Sequence, residues 1–88
     1  MLKLLLFLSL AQASTGESMY LQFCAGCHGG DGQGGIGANL TERLAVKTDD
    51  ELLVSIRDGL DQMPAWSFVM SEDEIRLIIV YLRESFEN

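Results

Sequence analysis

The chain has few of the residues that usually hold a very small protein together. Its 88 residues include two cysteines and one histidine, and a chain of this length buries only a modest fraction of its surface when it folds alone. Small domains gain further stability from disulfides, a structural metal or a large bound cofactor. Here that choice depends on Cys24, Cys27 and His28, which lie within five consecutive residues.

No stretch of the sequence reaches the roughly 20 apolar residues that a membrane-spanning helix needs. The apolar run at the N-terminus covers only residues 4–10, follows Lys3 and ends in Ala11, Gln12 and Ala13. A charged start, a short apolar stretch and small residues spaced Ala-x-Ala are typical of a secretory signal peptide. We therefore predict a signal peptide at 1–13, a mature domain at 14–88, export to the periplasm and no stable membrane insertion after cleavage. A buried or amphipathic first helix is the alternative.

Basic residues are scarce as well, with 6 Lys and Arg against 13 Asp and Glu and a net charge of −7. Nucleic acids and anionic membrane surfaces bind basic patches, so this composition argues against both as partners. It favours a partner protein with a basic docking face. Many of the acidic residues stand where helices are predicted to begin, and there they interact favourably with the helix dipole. Asp58 and Asp61 do not, which leaves them as candidates for an electrostatic field that serves the function.

Helix starts are marked by three capping boxes, a hydroxyl followed three residues later by Glu: Ser14-x-x-Glu17, Thr48-x-x-Glu51 and Ser71-x-x-Glu74. The second helix carries an apolar side that includes Leu60 and closes near Gly59. The third has helical apolar spacing from Ile75 to Phe86. No segment shows sustained strand alternation, so the predicted fold class is all-α, with residues 29–47 and 60–70 lacking a helical pattern.

The segment 24–28 reads Cys-Ala-Gly-Cys-His, a spacing that matches c-type haem attachment. Each thiol of Cys24 and Cys27 can add across a haem vinyl group, while the imidazole of His28 reaches the iron. A thioredoxin-like redox pair would follow a strand, and a zinc site would need further cysteines or histidines. A structural disulfide is a third alternative, which the adjacent histidine disfavours.

Haem iron held by one histidine has a sixth coordination position, for which Met63 and Met70 compete. Met63 precedes Pro64, which disfavours helical backbone and favours an extended loop able to present a side chain over a flat ring. Met70 directly precedes a helix cap, and it and Met19 are predicted to fill the core. His28 and Met63 are therefore the predicted iron ligands, and such ligation suits an electron carrier rather than a catalyst.

Several separate segments resemble the class I c-type cytochromes in their short bacterial form. Gly16-x-x-x-Tyr20-x-x-x-Cys24 is similar to that family's first helix, which packs on the last helix. Gly37-Ala38-Asn39-Leu40 resembles its Gly-Pro-x-Leu turn, whose carbonyl accepts the second N–H of the proximal histidine; the proline is replaced here by Ala38.

Residues 63–66, Met-Pro-Ala-Trp, match the family's Met-Pro-aromatic segment. The resemblance implies three to four helices around one covalently attached haem c, with Met63 as distal ligand and Trp66 near the haem. The glycine-rich loop and residues 39–66 also resemble small cytochromes associated with nitrite reduction.

We therefore expect a periplasmic electron carrier with one covalent haem c, exchanging electrons with a reductase, oxidase or dehydrogenase. One alternative is a haem-binding subunit or accessory module of a larger respiratory or denitrification enzyme. Another is an enzyme in which Met63 dissociates and a small ligand binds the iron.

Overall fold

The computed structural model describes residues 15–88. The predicted signal peptide at 1–13 and the first predicted capping residue, Ser14, lie outside the described residues. Residues 15–88 form four helices and no strand, which confirms the all-α fold class. None of these four helices is long and apolar enough to cross a membrane.

Helix α1 covers residues 15–28 and changes its winding along its length. Residues 15–19 are α-helical, Tyr20–Cys24 form a π-helical turn, and Ala25–His28 return to α-helix. Helix α2 is Leu40–Val46, α3 is Asp49–Asp58 and α4 is Glu72–Phe86. Single π-helical turns are rare in proteins, and those that occur are frequently found at functional sites. This one leads directly into the Cys-Ala-Gly-Cys-His segment.

The capping boxes predicted at the starts of α3 and α4 are confirmed. Thr48 and Ser71 each accept a hydrogen bond from the backbone N–H three residues later, at 3.2 Å, and the Glu at that position accepts one in return from the capping residue's own N–H at 2.9 Å. Both starts follow from local sequence because each cap satisfies backbone N–H groups that the helix leaves without partners.

Helix α2 corrects the prediction that residues 29–47 lack a helix. The side chain of Asn39 accepts a hydrogen bond from the N–H of Glu42 at 3.2 Å and caps this helix. Seven residues are too few for an apolar repeat to stand out, and the Asn cap falls outside the hydroxyl-Glu pattern. The sequence signal for α2 was therefore weak.

The end of α3 agrees with the prediction at Gly59 and corrects it at Leu60. Gly59 has φ 83° and ends the helix, and a Cβ there would lie 2.8 Å from the carbonyl oxygen of Met63. Leu60 consequently falls beyond the helix and is 54% exposed, so it does not extend the apolar side of α3.

The core forms where α1, α3 and α4 meet. It includes the predicted stripe of α4 and both methionines predicted to be core, and its buried members are Met19, Tyr20, Leu44, Leu52, Leu53, Met70, Ile75, Ile78, Ile79 and Leu82. Residues 15–88 contain no second buried hydrophobic cluster, so these side chains and whatever fills the adjacent cavity must stabilise the domain together.

Helices α1 and α4 are in close contact at Gly16. A Cβ on Gly16 would lie 2.5 Å from the carbonyl oxygen of Leu77 and 3.3 Å from Cβ of Tyr81. One turn on, the Tyr20 ring packs against Tyr81 and Phe86, with centroids 5.5 and 5.3 Å apart. The contact between first and last helices that the family resemblance implied is therefore present.

We expect Gly16→Ala to destabilise the protein by about 1–3 kcal/mol, because the added methyl group must push two helices apart. The free energy of unfolding, measured in denaturant, checks this. Gly30→Ala is the matched control, since a Cβ on Gly30 meets nothing within 4 Å. Equal stability of the two variants would contradict the close contact as the reason for glycine at position 16.

Arg83 of α4 joins the ends of two other helices. Its guanidinium donates to the carbonyl oxygens of Leu44 and Lys47, each at 2.6 Å, and to the carboxylate of Asp49 at 2.9 Å. The guanidinium thus binds carbonyls that the end of α2 leaves without helical partners. These hydrogen bonds hold α2 in its position beside the cavity that lies between the helices.

Candidate haem site

A cavity of about 480 Å³ lies between α1, α2, α3 and the loop that follows α3. Its lining is mainly apolar, and the volume is within the range of about 300–1,000 Å³ common for small-molecule and cofactor sites. All four predicted site residues, Cys24, Cys27, His28 and Met63, line this cavity. The structure therefore brings together three residues from one helix and a methionine that lies 35 positions further along the chain.

His28 is the last residue of α1, and a backbone carbonyl orients its ring. Nδ1 lies 2.8 Å from the carbonyl oxygen of Ala38. Because a carbonyl can only accept, Nδ1 carries the proton and donates, which leaves the lone pair of Nε2 available to a metal. Ala38 thus supplies the carbonyl expected from the Gly-Pro-x-Leu resemblance, without the proline.

The glycine-rich loop after α1 folds back onto the Cys-Ala-Gly-Cys-His segment. The N–H of Gly37 donates to the carbonyl of Cys27 at 2.7 Å, and that of Gly34 donates to the carbonyl of His28 at 2.8 Å. A Cβ on Gly37 would lie 2.7 Å from Cε1 of His28. Glycine is therefore required where this loop supports the imidazole from the side.

The two cysteines are free thiols in different environments: Cys24 is half-buried and Cys27 is exposed. Burial, and next the neighbouring Cys27, raise the pKa of Cys24 to about 11. A redox-active Cys-x-x-Cys pair depends on a thiol whose pKa is lowered so that it ionises near neutral pH. Cys24 has the opposite property, which disfavours the thioredoxin-like alternative.

Met63 reaches the cavity from a tight turn pinned to the end of α3. Leu60 and Met63 form an isolated bridge, with N–H···O distances of 3.2 and 2.9 Å, and Asp61 within this turn has φ 54°. The N–H of Trp66 then donates to the carbonyl of Ile56 at 3.0 Å. Both ends of the segment that carries Met63 are therefore held by backbone hydrogen bonds.

The other candidate methionine lies elsewhere. Met70 is 4% exposed in the core and does not line the cavity, whereas Met63 is half-buried and does. Trp66 also lines the cavity, and its ring packs on Phe23 with centroids 5.3 Å apart. Trp66 therefore lies in the cavity wall and also packs against a neighbouring aromatic ring.

Tyr20 has a role in the site that sequence analysis missed. Its hydroxyl donates to the carbonyl of Gly29 at 2.5 Å, and its side chain is fully buried while lining the cavity. Burial, followed by the nearby Cys24, Tyr81 and Asp31, raises the pKa of Tyr20 to about 12. The hydroxyl thus ties the π-helical turn to Gly29, the residue that directly follows His28.

We expect Tyr20→Phe to reduce stability at neutral pH by about 1 kcal/mol, the net contribution of one hydrogen bond. Because the pKa of Tyr20 is higher in the folded protein than the ordinary value of 10.0, its contribution is complete below that value and is lost as pH rises through about 12. As pH rises through the alkaline range, the free energy of unfolding, measured in denaturant, should therefore fall less in Tyr20→Phe than in the wild type. Tyr81→Phe keeps the buried hydroxyl and serves as control; an equal reduction in both variants would contradict this assignment.

Sequence analysis also missed Arg43 and Lys47, which line the cavity from α2. Because that helix itself was not predicted, nothing in the sequence indicated which way its side chains would face. An i, i+4 spacing of two cations in an acidic chain was the only available signal.

The donor set fits a c-type haem. Two free thiols, an imidazole with its proton fixed on Nδ1 and a thioether surround one apolar cavity of suitable volume. Imidazole and thioether are the two ligands that c-type cytochromes use for iron. This agreement rests on the residues present and their contacts.

Comparison with known proteins agrees with this fit. The family described as "Cytochrome C oxidase, cbb3-type, subunit III" matches residues 11–82. Cytochrome c-551 of Bacillus subtilis is 39% identical over 75 residues, which cover 84% of this chain and 64% of that relative. Cytochrome c55X of Stutzerimonas stutzeri is 35% identical over 76 residues, covering 83% and 67% respectively.

Among solved structures, the c-type cytochrome NirC superposes with a TM-score of 0.70 at 34% identity, covering 84% of this chain and 89% of that one. The fold is thus that of a small cytochrome c. The chain belongs to the c-type cytochromes, within the family whose description names subunit III of cbb3-type oxidase. The small cytochromes among these relatives imply a c-type haem and electron transfer for the domain that they share with this chain. The chain spans just under two thirds of the Bacillus subtilis relative.

Proposed function

We propose that this protein is a periplasmic carrier of single electrons with one haem c attached covalently through Cys24 and Cys27. In this proposal His28 and Met63 would hold the iron. The observation that carries it is the meeting of these four side chains on one apolar cavity, with the His28 ring oriented by the Ala38 carbonyl.

Each residue has a separate task. The Cys24 and Cys27 thiols would hold the haem by adding S–H across its two vinyl groups, which would form two C–S bonds without any external oxidant. His28 presents Nε2 to the iron because its Nδ1–H is held by Ala38. Met63 would bind the iron from its pinned turn, and this would exclude oxygen and peroxide.

When bound, the haem supplies a one-electron Fe(III)/Fe(II) couple, and the protein's residues set its environment. The apolar lining keeps water from the ring and disfavours the more highly charged ferric state. A thioether ligand favours ferrous iron and raises the reduction potential further. Both effects suit a carrier that accepts an electron and passes it on unchanged.

The periplasmic location rests on the signal-like residues 1–13. The partners we propose are redox proteins with a basic face, because the chain has a net charge of −7. The resemblance to small cytochromes associated with nitrite reduction favours a partner in denitrification as the narrower form of this proposal.

The test is the visible spectrum of the protein produced together with a haem-attachment system, in the oxidised and reduced states. Haem should remain with the polypeptide during acid-acetone extraction, and the oxidised form should show the weak far-red band of methionine-to-iron coordination. The wild-type ferrous protein should not bind carbon monoxide. Tight carbon monoxide binding or extractable haem would overturn the carrier proposal.

A second candidate function is a dedicated subunit of a larger oxidase. The family description, which names a subunit of cbb3-type oxidase, favours it. Gel filtration of native extracts separates the two: a carrier elutes at the size of the small domain, whereas a subunit co-elutes with a large complex. Detection by haem staining ensures that only the loaded chain is followed.

A further inference from the structure

Within residues 15–88, two cationic side chains form no ion pair with a carboxylate, whereas the other cationic side chains each form at least one. Arg57, Arg76 and Arg83 each have a carboxylate oxygen at 2.6–3.7 Å. Arg43 and Lys47 form no ion pair within these residues. In a chain with more than twice as many acidic as basic residues, two cations without an ion pair call for an explanation.

Both of these cations line the haem cavity. Arg43 lies in α2 and Lys47 is the residue that ends it, one turn later, so the two side chains share a helix face. Like charges at this spacing repel each other in an isolated helix. The hydrogen bond from Arg83 to the carbonyl of Lys47 at 2.6 Å holds the end of this helix in place.

Two local explanations account for part of the arrangement. Cations near a helix C-terminus interact favourably with the helix dipole. The hydrogen bonds with Thr48, and to a smaller degree the charge of Lys47, lower the pKa of Glu51. Neither explains why both side chains line an otherwise mainly apolar cavity. Asp61 is the one carboxylate lining it, and it belongs to the 60–63 turn rather than to α2.

The ligand that would complete this arrangement is a flat apolar molecule with two carboxylates. Haem has this chemistry, since its ring is apolar and its two propionate groups are anionic at neutral pH. We propose that Arg43 and Lys47 bind the haem propionates and thereby raise the reduction potential of the iron. The inference rests on the proposed function and extends it to residues outside the attachment and ligand set.

The expected effect on the potential has a definite sign. Ferric iron carries one more positive charge than ferrous iron, so nearby cations disfavour the oxidised state and nearby uncompensated carboxylates favour it. Removal of Arg43 and Lys47 takes away two positive charges and leaves both propionates without counter-charges. The reduction potential must then fall.

The experiment is redox titration of the haem-loaded Arg43→Gln/Lys47→Gln double variant. We expect the equilibrium constant for electron exchange with a reference couple to shift about tenfold toward the ferric state, about 59 mV for one electron. Arg76→Gln is the matched control, because it removes a cation that is paired with Asp50 at 3.7 Å and does not line the cavity. Its shift should stay below about twofold. The charge-preserving Arg43→Lys/Lys47→Arg variant should also stay within about twofold of the wild type.

The outcomes distinguish this inference from the proposed function. If the double variant keeps covalently bound haem and its reduction potential is unchanged, only the inference is overturned. The same holds if Arg76→Gln changes the reduction potential as much as the double variant does. A potential unchanged while the reaction with an anionic partner slows would mean that these cations dock proteins instead, which also overturns it. Haem that extracts from the wild type overturns the proposed function as well. If the double variant does not accumulate, the two single variants should each show part of the shift.

Discussion

A chain in which both Cys24 and Cys27 are replaced by serine is expected to release all of its haem into acid acetone. Serine nearly preserves the shape of each side chain, but a hydroxyl does not add across a vinyl group under the conditions in which a thiol does. His28 and Met63 remain, so haem can still bind, but only reversibly. Each single variant keeps one thioether bond and should retain haem at lower yield.

The same double variant should lose much of its stability when the haem is removed. At about 24 cal/mol per Å³ of cavity, an unfilled volume of this size has an upper cost on the order of 10 kcal/mol, which matches the entire stability of about 5–15 kcal/mol expected of a small domain. We therefore expect the haem-free chain to be largely unfolded at room temperature, as far-ultraviolet circular dichroism would measure. Partial filling of the cavity by water reduces the cost without removing it.

Ser55→Ala is the control for this experiment, since Ser55 also lines the cavity and takes no part in attachment. It should keep covalent haem and helical signal close to wild type. Covalent haem in the Cys24→Ser/Cys27→Ser variant would contradict the attachment residues. A fully helical haem-free chain would instead contradict the view that this small core needs the cofactor to fold.

The second large effect is expected for Met63→Ala. Haem should stay attached, the far-red methionine-to-iron band should disappear and ferrous iron should bind carbon monoxide, because the sixth position becomes accessible. The midpoint potential should fall by on the order of 0.1 V, since a thioether ligand favours ferrous iron and axial ligands set haem potentials over a wide range. Spectra with and without carbon monoxide, followed by redox titration, measure all three changes.

Met70→Ala is the matched control, because it removes the same side chain from the core rather than from the cavity. Met70 is 4% exposed, so its truncation should cost about 2–5 kcal/mol of stability while leaving the far-red band and the resistance to carbon monoxide intact. If Met70→Ala opened the iron and Met63→Ala did not, the distal ligand would have to be reassigned. Loss of the band in both would indicate that the Met63 turn depends on the core beneath it.

The features that followed from sequence alone are those governed by neighbours in the chain. A capping box needs only residues three apart, so the starts of α3 at Thr48 and α4 at Ser71 were predictable. The Cys-Ala-Gly-Cys-His segment likewise predicts haem attachment from five consecutive residues. The Met63-Pro64 pair predicts an extended backbone from two. The all-α class followed from the absence of strand alternation together with these helix starts.

The tertiary structure alone decided which distant groups meet. The hydrogen bond between Tyr20 and Gly29 and the exclusion of Leu60 from α3 depend on how the chain folds back on itself, which no local pattern encodes. The position of α2 is set by Asn39 and by Arg83 from the last helix, so the direction of Arg43 toward the cavity could not be read from its neighbours. Local patterns thus specified the starts of α3 and α4 and the Cys-Ala-Gly-Cys-His segment, whereas packing between helices created the cavity and determined which charges face it.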